Sequence, residues 1–350
     1  MLTLMITFCV GLAGGVLFLR LKVPGGMMVG ALVAVTAFNL CCSTAFMPTE
    51  AKVAAQSLAG AFIACGIGKD DIKSLTELWK PALLLIFGML MVNLLIGTII
   101  WLISPLDLLT SLMCAVPGGM SDTPMIAADM GADAGKVAIL QFVRMSAGIG
   151  IFPSVILWLS KEPRVQGQPH SGGTAGSVRK TQNIGAFLIT LLAAFGCGIL
   201  GKLSGIPAGT LVFSLLGVLA LKLIWGRSYL PMWAKRLAQV LSGAYIGCSI
   251  AKDDLLELRY LLFPAVILLV GYFLNSIVMG KVLTCFCGFP LKEAMLTATP
   301  AGASDMALIS ADLGVTDKKV VELQIIRMVT VIVLFPQIIS LIVVLQGQTA

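Results

Sequence analysis

A run of 20 residues without a charged side chain, 84–103, constrains this chain more than any other feature. A helix rises about 1.5 Å per residue, so the run covers the ~30 Å hydrocarbon core of a bilayer. The same half has five further apolar segments, near residues 3–20, 24–42, 51–67, 107–131 and 136–159. No basic residue precedes the first, so we interpret it as a retained transmembrane helix rather than a signal peptide. The sequence therefore predicts an all-α polytopic membrane protein.

Composition agrees with a membrane protein and disfavours a soluble domain, a metalloprotein and a nucleic-acid-binding protein. Of 350 residues, 58% are hydrophobic and 12% charged, whereas soluble domains carry about 25% charged residues. The nine cysteines form no CxxC pair, and the single histidine, His170, lies in a polar stretch. We therefore expect no metal site, no organic cofactor and no enzyme activity. The net charge of +7 comes from Lys and Arg scattered through short loops, which is typical of membrane orientation rather than nucleic-acid binding.

The two halves of the chain repeat at a constant spacing of 183 residues. Residues 56–71 and 239–254 are identical at 10 of 16 positions, and PGGMSDTPMIAADMG from Pro117 matches PAGASDMALISADLG from Pro300. Shared polar, Pro and Gly positions in register indicate a duplicated unit. The sequence predicts a first membrane repeat at 1–160, a flexible polar linker at 161–183 and a second membrane repeat at 184–350.

The fifth apolar segment of each repeat is broken near its middle, which leaves two legs of about ten residues, each about 15 Å long. If this segment crosses the bilayer, each repeat has six crossings and the repeats are parallel. If it is a re-entrant hairpin, each has five and they are inverted. The basic residues favour the second arrangement, because most of them fall in inner loops of both halves only if the second half is inverted. We therefore predict two inverted repeats, each with about five transmembrane helices plus one re-entrant broken-helix hairpin, a cytoplasmic linker and external termini.

Helix breaks at corresponding places in two repeats point to a binding site near the bilayer midplane. The candidate solute contacts at the breaks are Pro117, Gly118, Gly119 and Ser121 in the first repeat and Pro300, Ala301, Gly302 and Ser304 in the second. Asp122 and Asp305 follow directly. They are either N-caps of the second leg or carboxylates at membrane depth that couple transport to Na⁺ or H⁺, and both roles can hold together.

The sixth segment of each repeat carries a Gln and an Arg three residues apart on one helical face, Gln141 with Arg144 and Gln324 with Arg327. An arginine fork matches a carboxylate ligand. The alternative is a structural ion pair with the hairpin aspartate. Asp129 and Asp312 lie at the outer ends of the hairpins, and we interpret them as loop or vestibule carboxylates.

The doubled block of a Pro-Gly-Gly break, the Gly131–Asp133 stretch and the LQFVRM helix resembles the AbrB duplication family of bacterial membrane proteins. This family is also labelled an ammonia monooxygenase regulator. The resemblance covers nearly the whole chain and implies a bacterial inner membrane protein with a role in gene regulation. The chain departs from the usual pattern at 300–302, where Pro-Ala-Gly replaces Pro-Gly-Gly and leaves the second tip less flexible. The arrangement is also similar to that of glutamate and citrate symporters.

Two functions remain open at this point. The first is an ion-coupled secondary transporter of a small anionic organic solute, with its site between the repeats. The second is a non-transporting regulatory or sensor membrane protein that affects gene expression. An intramembrane aspartyl protease using Asp122 and Asp305 is disfavoured because the GxGD context is missing. A primary pump is disfavoured because no P-loop motif occurs. The oligomeric state stays open, with a homodimer as one alternative.

Overall fold

The computed structural model describes residues 2–68, 78–152, 184–226, 228–250, 257–300 and 318–346. In these residues the chain forms thirteen α-helices. Seven lie in the first half: α1 (Leu2–Arg20), α2 (Gly26–Cys42), α3 (Thr49–Gly66), α4 (Trp79–Ile103), α5 (Leu108–Cys114), α6 (Thr123–Asp129) and α7 (Ala134–Gly150). Six lie in the second half: α8 (Ile184–Leu203), α9 (Gly209–Trp225), α10 (Met232–Ser249), α11 (Leu262–Cys287), α12 (Leu291–Ala298) and α13 (Lys318–Leu345). The linker predicted at 161–183 falls outside the described residues.

Five helical segments of 19 to 29 residues are long and apolar enough to cross a membrane. They are α1, α4, α8, α13 and the continuous stretch of a 3-10 turn with α11. The outer face of α4 shows why a bilayer is needed, since Leu83, Phe87 and Leu95 are each about 60% exposed. The prediction of an all-α protein with several membrane-spanning helices is confirmed.

Glycines let neighbouring helices approach closely. A Cβ at Gly14 would lie 2.4 Å from the Gly30 carbonyl oxygen, where α1 meets α2. A Cβ at Gly201 would lie 2.2 Å from the Gly209 carbonyl oxygen, where α8 meets α9. Inside lipid the hydrophobic effect does not drive helices together. Small residues at such contacts let the backbones approach, so that van der Waals packing stabilises the helix pair.

Two pairs of central helices run antiparallel. On α3 and α10, the Lys52 ammonium near the start of α3 lies 5.5 Å from the Tyr245 ring near the end of α10. Conversely, the Lys235 ammonium near the start of α10 lies 4.5 Å from the Phe62 ring near the end of α3. On α4 and α11, Gly88 faces Met279 and Gly271 faces Ile96, so rising residue numbers on one helix meet falling numbers on the other.

The fifth apolar segment is broken where Pro117 and the two glycines predict it, but its legs, α5 and α6, have only seven residues each. The predicted legs of about ten residues were too long. The reason is that the chain leaves the helix at Ala115 and does not resume it until Thr123. The residue before a proline is disfavoured in a helix, and the carbonyl groups of this stretch bond to side chains instead.

Candidate functional site

Three side chains hold the carbonyl groups of the first helix break. The Gln141 amide donates to the carbonyls of Val116 at 3.0 Å and Cys114 at 3.3 Å. The Arg144 guanidinium donates to Val116 at 2.7 Å and Gly118 at 2.5 Å. The Tyr272 hydroxyl, from α11 in the other half, donates to the Ala115 carbonyl. These bonds replace the helical partners that the last carbonyls of α5 lack.

The second break repeats this arrangement. The Gln324 amide donates to Leu296 at 2.9 Å and Thr297 at 3.1 Å, and Arg327 donates to Thr299 at 2.7 Å. Pro300, which follows, is buried. Four further predicted site residues lie outside the described part of the chain: Ala301, Gly302, Ser304 and Asp305.

The two arginines are buried cations. Their exposed fractions are 2% for Arg144 and 3% for Arg327. No Asp or Glu is buried among the described residues. The alternative of an ion pair between Arg144 and the hairpin aspartate Asp122 is wrong, because no such pair forms and the guanidinium faces backbone carbonyls. The Nε–H of Arg144 is buried without a hydrogen-bond partner, so the fork keeps a donor for another acceptor.

The two breaks lie near one another. Helix α13, which carries Gln324 and Arg327, packs against α5, the first leg of the first hairpin. The Arg144 guanidinium carbon lies 5.9 Å from the centre of the Tyr272 ring. The described residues thus bring Gln141, Arg144, Gln324 and Arg327 around one buried region.

Asp122 precedes α6 but does not cap it, because its side chain makes no capping hydrogen bond. Two other aspartates do cap helices in this protein. Asp107 accepts from the Thr110 amide at 2.9 Å, and Asp133 accepts from the Lys136 amide at 3.1 Å. The N-cap interpretation of Asp122 is therefore wrong. The ammonium of Lys235 on α10 is close enough to act electrostatically on this carboxylate.

The glycines at the first tip make room for polar side chains. A Cβ at Gly119 would lie 2.4 Å from an Asp122 carboxylate oxygen, and one at Gly118 would lie 2.2 Å from the Thr123 hydroxyl oxygen. Ser121 lies half-buried in the same turn. In the second half, where the sequence has Ala301 in place of Gly118, Met306 replaces Thr123. The hydroxyl that excludes a Cβ at Gly118 is thus lost together with the glycine.

The far end of α6 is tied to α3 by residues that sequence reasoning missed. The Lys52 ammonium lies 2.7 Å from one Asp129 oxygen, and the Gln56 amide donates to the other. Asp129 is therefore a paired carboxylate rather than a loop residue. A signal existed, because Lys52 and Gln56 are identical to Lys235 and Gln239 at the repeat spacing. Asp312 lies outside the described residues.

Tyr272 was also missed, and here the repeat gave no signal, since Met89 stands at the equivalent position. Among the described residues, no group of three or more His, Cys, Asp or Glu side chains lies together in a way that could hold a metal ion.

Comparison with known sequences finds relatives that match over nearly the whole chain. The profile of a family described as "Transition state regulatory protein AbrB" matches residues 27–343. A Bacillus subtilis protein, "Uncharacterized protein YhjN", is 25% identical over 96% of this chain and 92% of its own length. An Escherichia coli protein, "Putative regulator AbrB", is 26% identical over 92% of this chain and 91% of its own length.

Proposed function

We propose that this chain, which belongs to the AbrB family of membrane proteins, is a secondary transporter of a small anionic organic solute. Transport is coupled to Na⁺ or H⁺, in the bacterial inner membrane. The observation that carries the proposal is Arg144. Its guanidinium is 2% exposed, faces the carbonyls of a broken helix and keeps a buried N–H without a partner. A buried cation is stabilised by an anion, and an arginine fork fits a carboxylate.

The proposal includes two inverted repeats, and the helix bounds support it. Helices α2, α3, α4 and α5 begin at residues 26, 49, 79 and 108, while α9, α10, α11 and α12 begin at 209, 232, 262 and 291, each 183 later. The equivalent helices α4 and α11 run antiparallel, as do α3 and α10. Parallel repeats do not place equivalent helices antiparallel, whereas inverted repeats do.

The coupling role is assigned to Asp122 and, by repeat equivalence, to Asp305. The Asp122 carboxylate is not used as a helix cap, and it follows a break that is tolerated only in protein or beside a wet cavity. A carboxylate at membrane depth can hold Na⁺ or take up a proton. Pro117, Gly118, Gly119 and Ser121 with their second-half equivalents complete the proposed solute site.

The test uses purified protein in proteoliposomes. Thermal unfolding is first screened with acetate, lactate, succinate, glutamate and citrate, each with and without Na⁺. Uptake of the radiolabelled stabilising anion is then measured under a Na⁺ or pH gradient. We expect Arg144→Lys to impair binding as strongly as Arg144→Ala, because an ammonium cannot reproduce the fork. Arg20→Lys, at an exposed helix end, is the matched control. Unchanged binding per folded molecule in the Arg144 variants would make this arginine purely structural.

A regulatory sensor is the second candidate, and the name of the Escherichia coli relative favours it. The sensor would bind the same anion but would not carry it across the bilayer. Binding with no uptake under either gradient would therefore select the sensor.

A further inference from the structure

Tyr272 ties the two halves together at the proposed solute site. Its side chain is 0% exposed and lies on α11, in the second half. Its hydroxyl donates to the Ala115 carbonyl in the break of the first half. Its ring lies 5.9 Å from the Arg144 guanidinium carbon. One side chain thus contacts both the unwound backbone and the cation that we assign to solute binding.

The other side-chain contacts with the breaks are duplicated. Gln141 and Arg144 correspond to Gln324 and Arg327, and they reach carbonyls at equivalent positions. Asn93 and its equivalent Ser276 both donate to the leg of their own hairpin, at Leu112 and Met295. At the position equivalent to Tyr272 the first half has Met89, which carries no hydroxyl. The contact that Tyr272 makes with the opposite break is therefore not duplicated by its equivalent residue.

This difference acts on Arg144. An aromatic face beside a guanidinium attracts it electrostatically and restricts its position, most strongly where water is absent. A cation that is fixed before the solute arrives binds with a smaller loss of conformational entropy. The residue equivalent to Tyr272 in the first half is Met89, and a thioether does not supply the same ring electrostatics.

We propose that Tyr272 is a positioning residue that holds Arg144 and the first break in place from the opposite half, which makes the first break the tighter of two anion-binding positions. The solute-binding part of this inference rests on the proposed function. The effect on the backbone of the break does not.

The first measurement needs no solute. Hydrogen exchange is followed in residues 113–119 and 295–300 of the full-length protein for wild type, Tyr272→Phe and Tyr272→Met. The second substitution supplies the residue that the chain itself has at position 89. We expect exchange at 113–119 to rise about tenfold in both variants, since one buried hydrogen bond is lost, with 295–300 unchanged. Tyr260→Phe, which removes an exposed hydroxyl, is the matched control and should change neither segment.

The second measurement is a thermal-shift titration with succinate as the anion probe. We expect Arg144→Lys to weaken succinate binding more than Arg327→Lys does. Tyr272→Met, which removes the ring, should weaken it about tenfold and make Arg144→Lys less harmful than in wild type, because residues that act together are not additive.

The outcomes distinguish the positioning role of Tyr272 from the proposed transport function. Unchanged exchange at 113–119 in both Tyr272 variants, or an equal rise in both segments, overturns the positioning role. A selective rise at 113–119 without uptake of any tested anion keeps the positioning role and removes the transport function. Uptake in which Arg144→Lys and Arg327→Lys are equally harmful overturns the inequality of the two positions and leaves transport intact.

Discussion

At the scale of single residues, three aspartates with the same position relative to a helix have different roles. Asp107 and Asp133 accept hydrogen bonds from backbone amides at the starts of α5 and α7, whereas Asp122 does not cap α6. A capping carboxylate contributes about 1 kcal/mol to stability. Asp122 makes no such contribution, so capping does not offset the cost that the proposed position at membrane depth would carry.

The change Asp122→Asn separates these roles. We expect the variant to keep the wild-type thermal midpoint, because no cap bond is lost, and to lose the response of solute uptake to Na⁺ and to a pH gradient. The amide can neither hold Na⁺ as strongly as a carboxylate nor release a proton at physiological pH. Asp133→Ala is the control, and it should lower stability by about 1 kcal/mol while keeping the ion response. Gradient-driven uptake at the wild-type rate in Asp122→Asn would remove Asp122 from the coupling site.

Part of this site could be predicted from single residues and part could not. The helical spacing of Gln141 and Arg144, repeated in the second half, placed them beside the break. The alternative partner proposed for Arg144, Asp122, was wrong, since the guanidinium binds backbone carbonyls. Helical periodicity shows which face of a helix a residue occupies, but not which backbone group it contacts. Tyr272 lies 157 residues from Ala115 in sequence, and only the packing of α11 against the break brings them together.

At the scale of elements, α6, the second leg of the first hairpin, depends on its contacts with other helices. Seven residues in α6 are too few for a stable isolated helix. Its position depends on ties at its far end, where Lys52 and Gln56, one helical turn apart on α3, hold both oxygens of Asp129. We infer that this clamp keeps the Asp122 end of α6 in place.

A double-mutant cycle of Lys52→Met and Asp129→Asn measures the clamp. The side chains are only 12% and 20% exposed, so we expect a coupling energy of about 1 kcal/mol or more. The pair of Lys136 and Glu257 is the control, since its atoms are equally close at 2.6 Å but Glu257 is 48% exposed. Its coupling should stay below about 0.5 kcal/mol. Equal coupling energies for the two pairs would show that burial does not strengthen the clamp.

The sequence predicted the positions of the helices more accurately than their lengths. Stretches without charged residues predicted the positions of the long helices, and Pro117 predicted the position of the helix break. The leg lengths were wrong because hydropathy does not show that side chains compete for the carbonyls of Ala115 and Val116. The partners of Asp129 were missed because an ion pair between α3 and α6 depends on how the helices cross.

At the scale of the whole molecule, the antiparallel pairs α3 with α10 and α4 with α11 bear on orientation in the membrane. Equivalent helices that run in opposite directions belong to repeats that enter the bilayer from opposite sides. The distribution of basic loops independently predicts the same orientation.

Reporter tags test this orientation directly. We expect a cysteine or reporter in residues 160–183 to be cytoplasmic and one at Ala350 to be external, because the proposed second repeat crosses the bilayer five times. A reporter at residue 45, in the loop before α3, should share the external side and serves as the control. Equal accessibility of the linker and Ala350 from one side would exclude the inverted arrangement.

The short helices α2 and α9 have a consequence for the surrounding lipid. Each has 17 residues and is therefore about 26 Å long, a few ångströms less than the ~30 Å hydrocarbon core. They cannot tilt to relieve this mismatch, because tilting shortens their span further. Where they face lipid, thinning of the bilayer beside them relieves the mismatch, at a fraction of a kcal/mol per ångström. Shorter acyl chains should therefore raise the thermal midpoint of this protein in reconstituted bilayers.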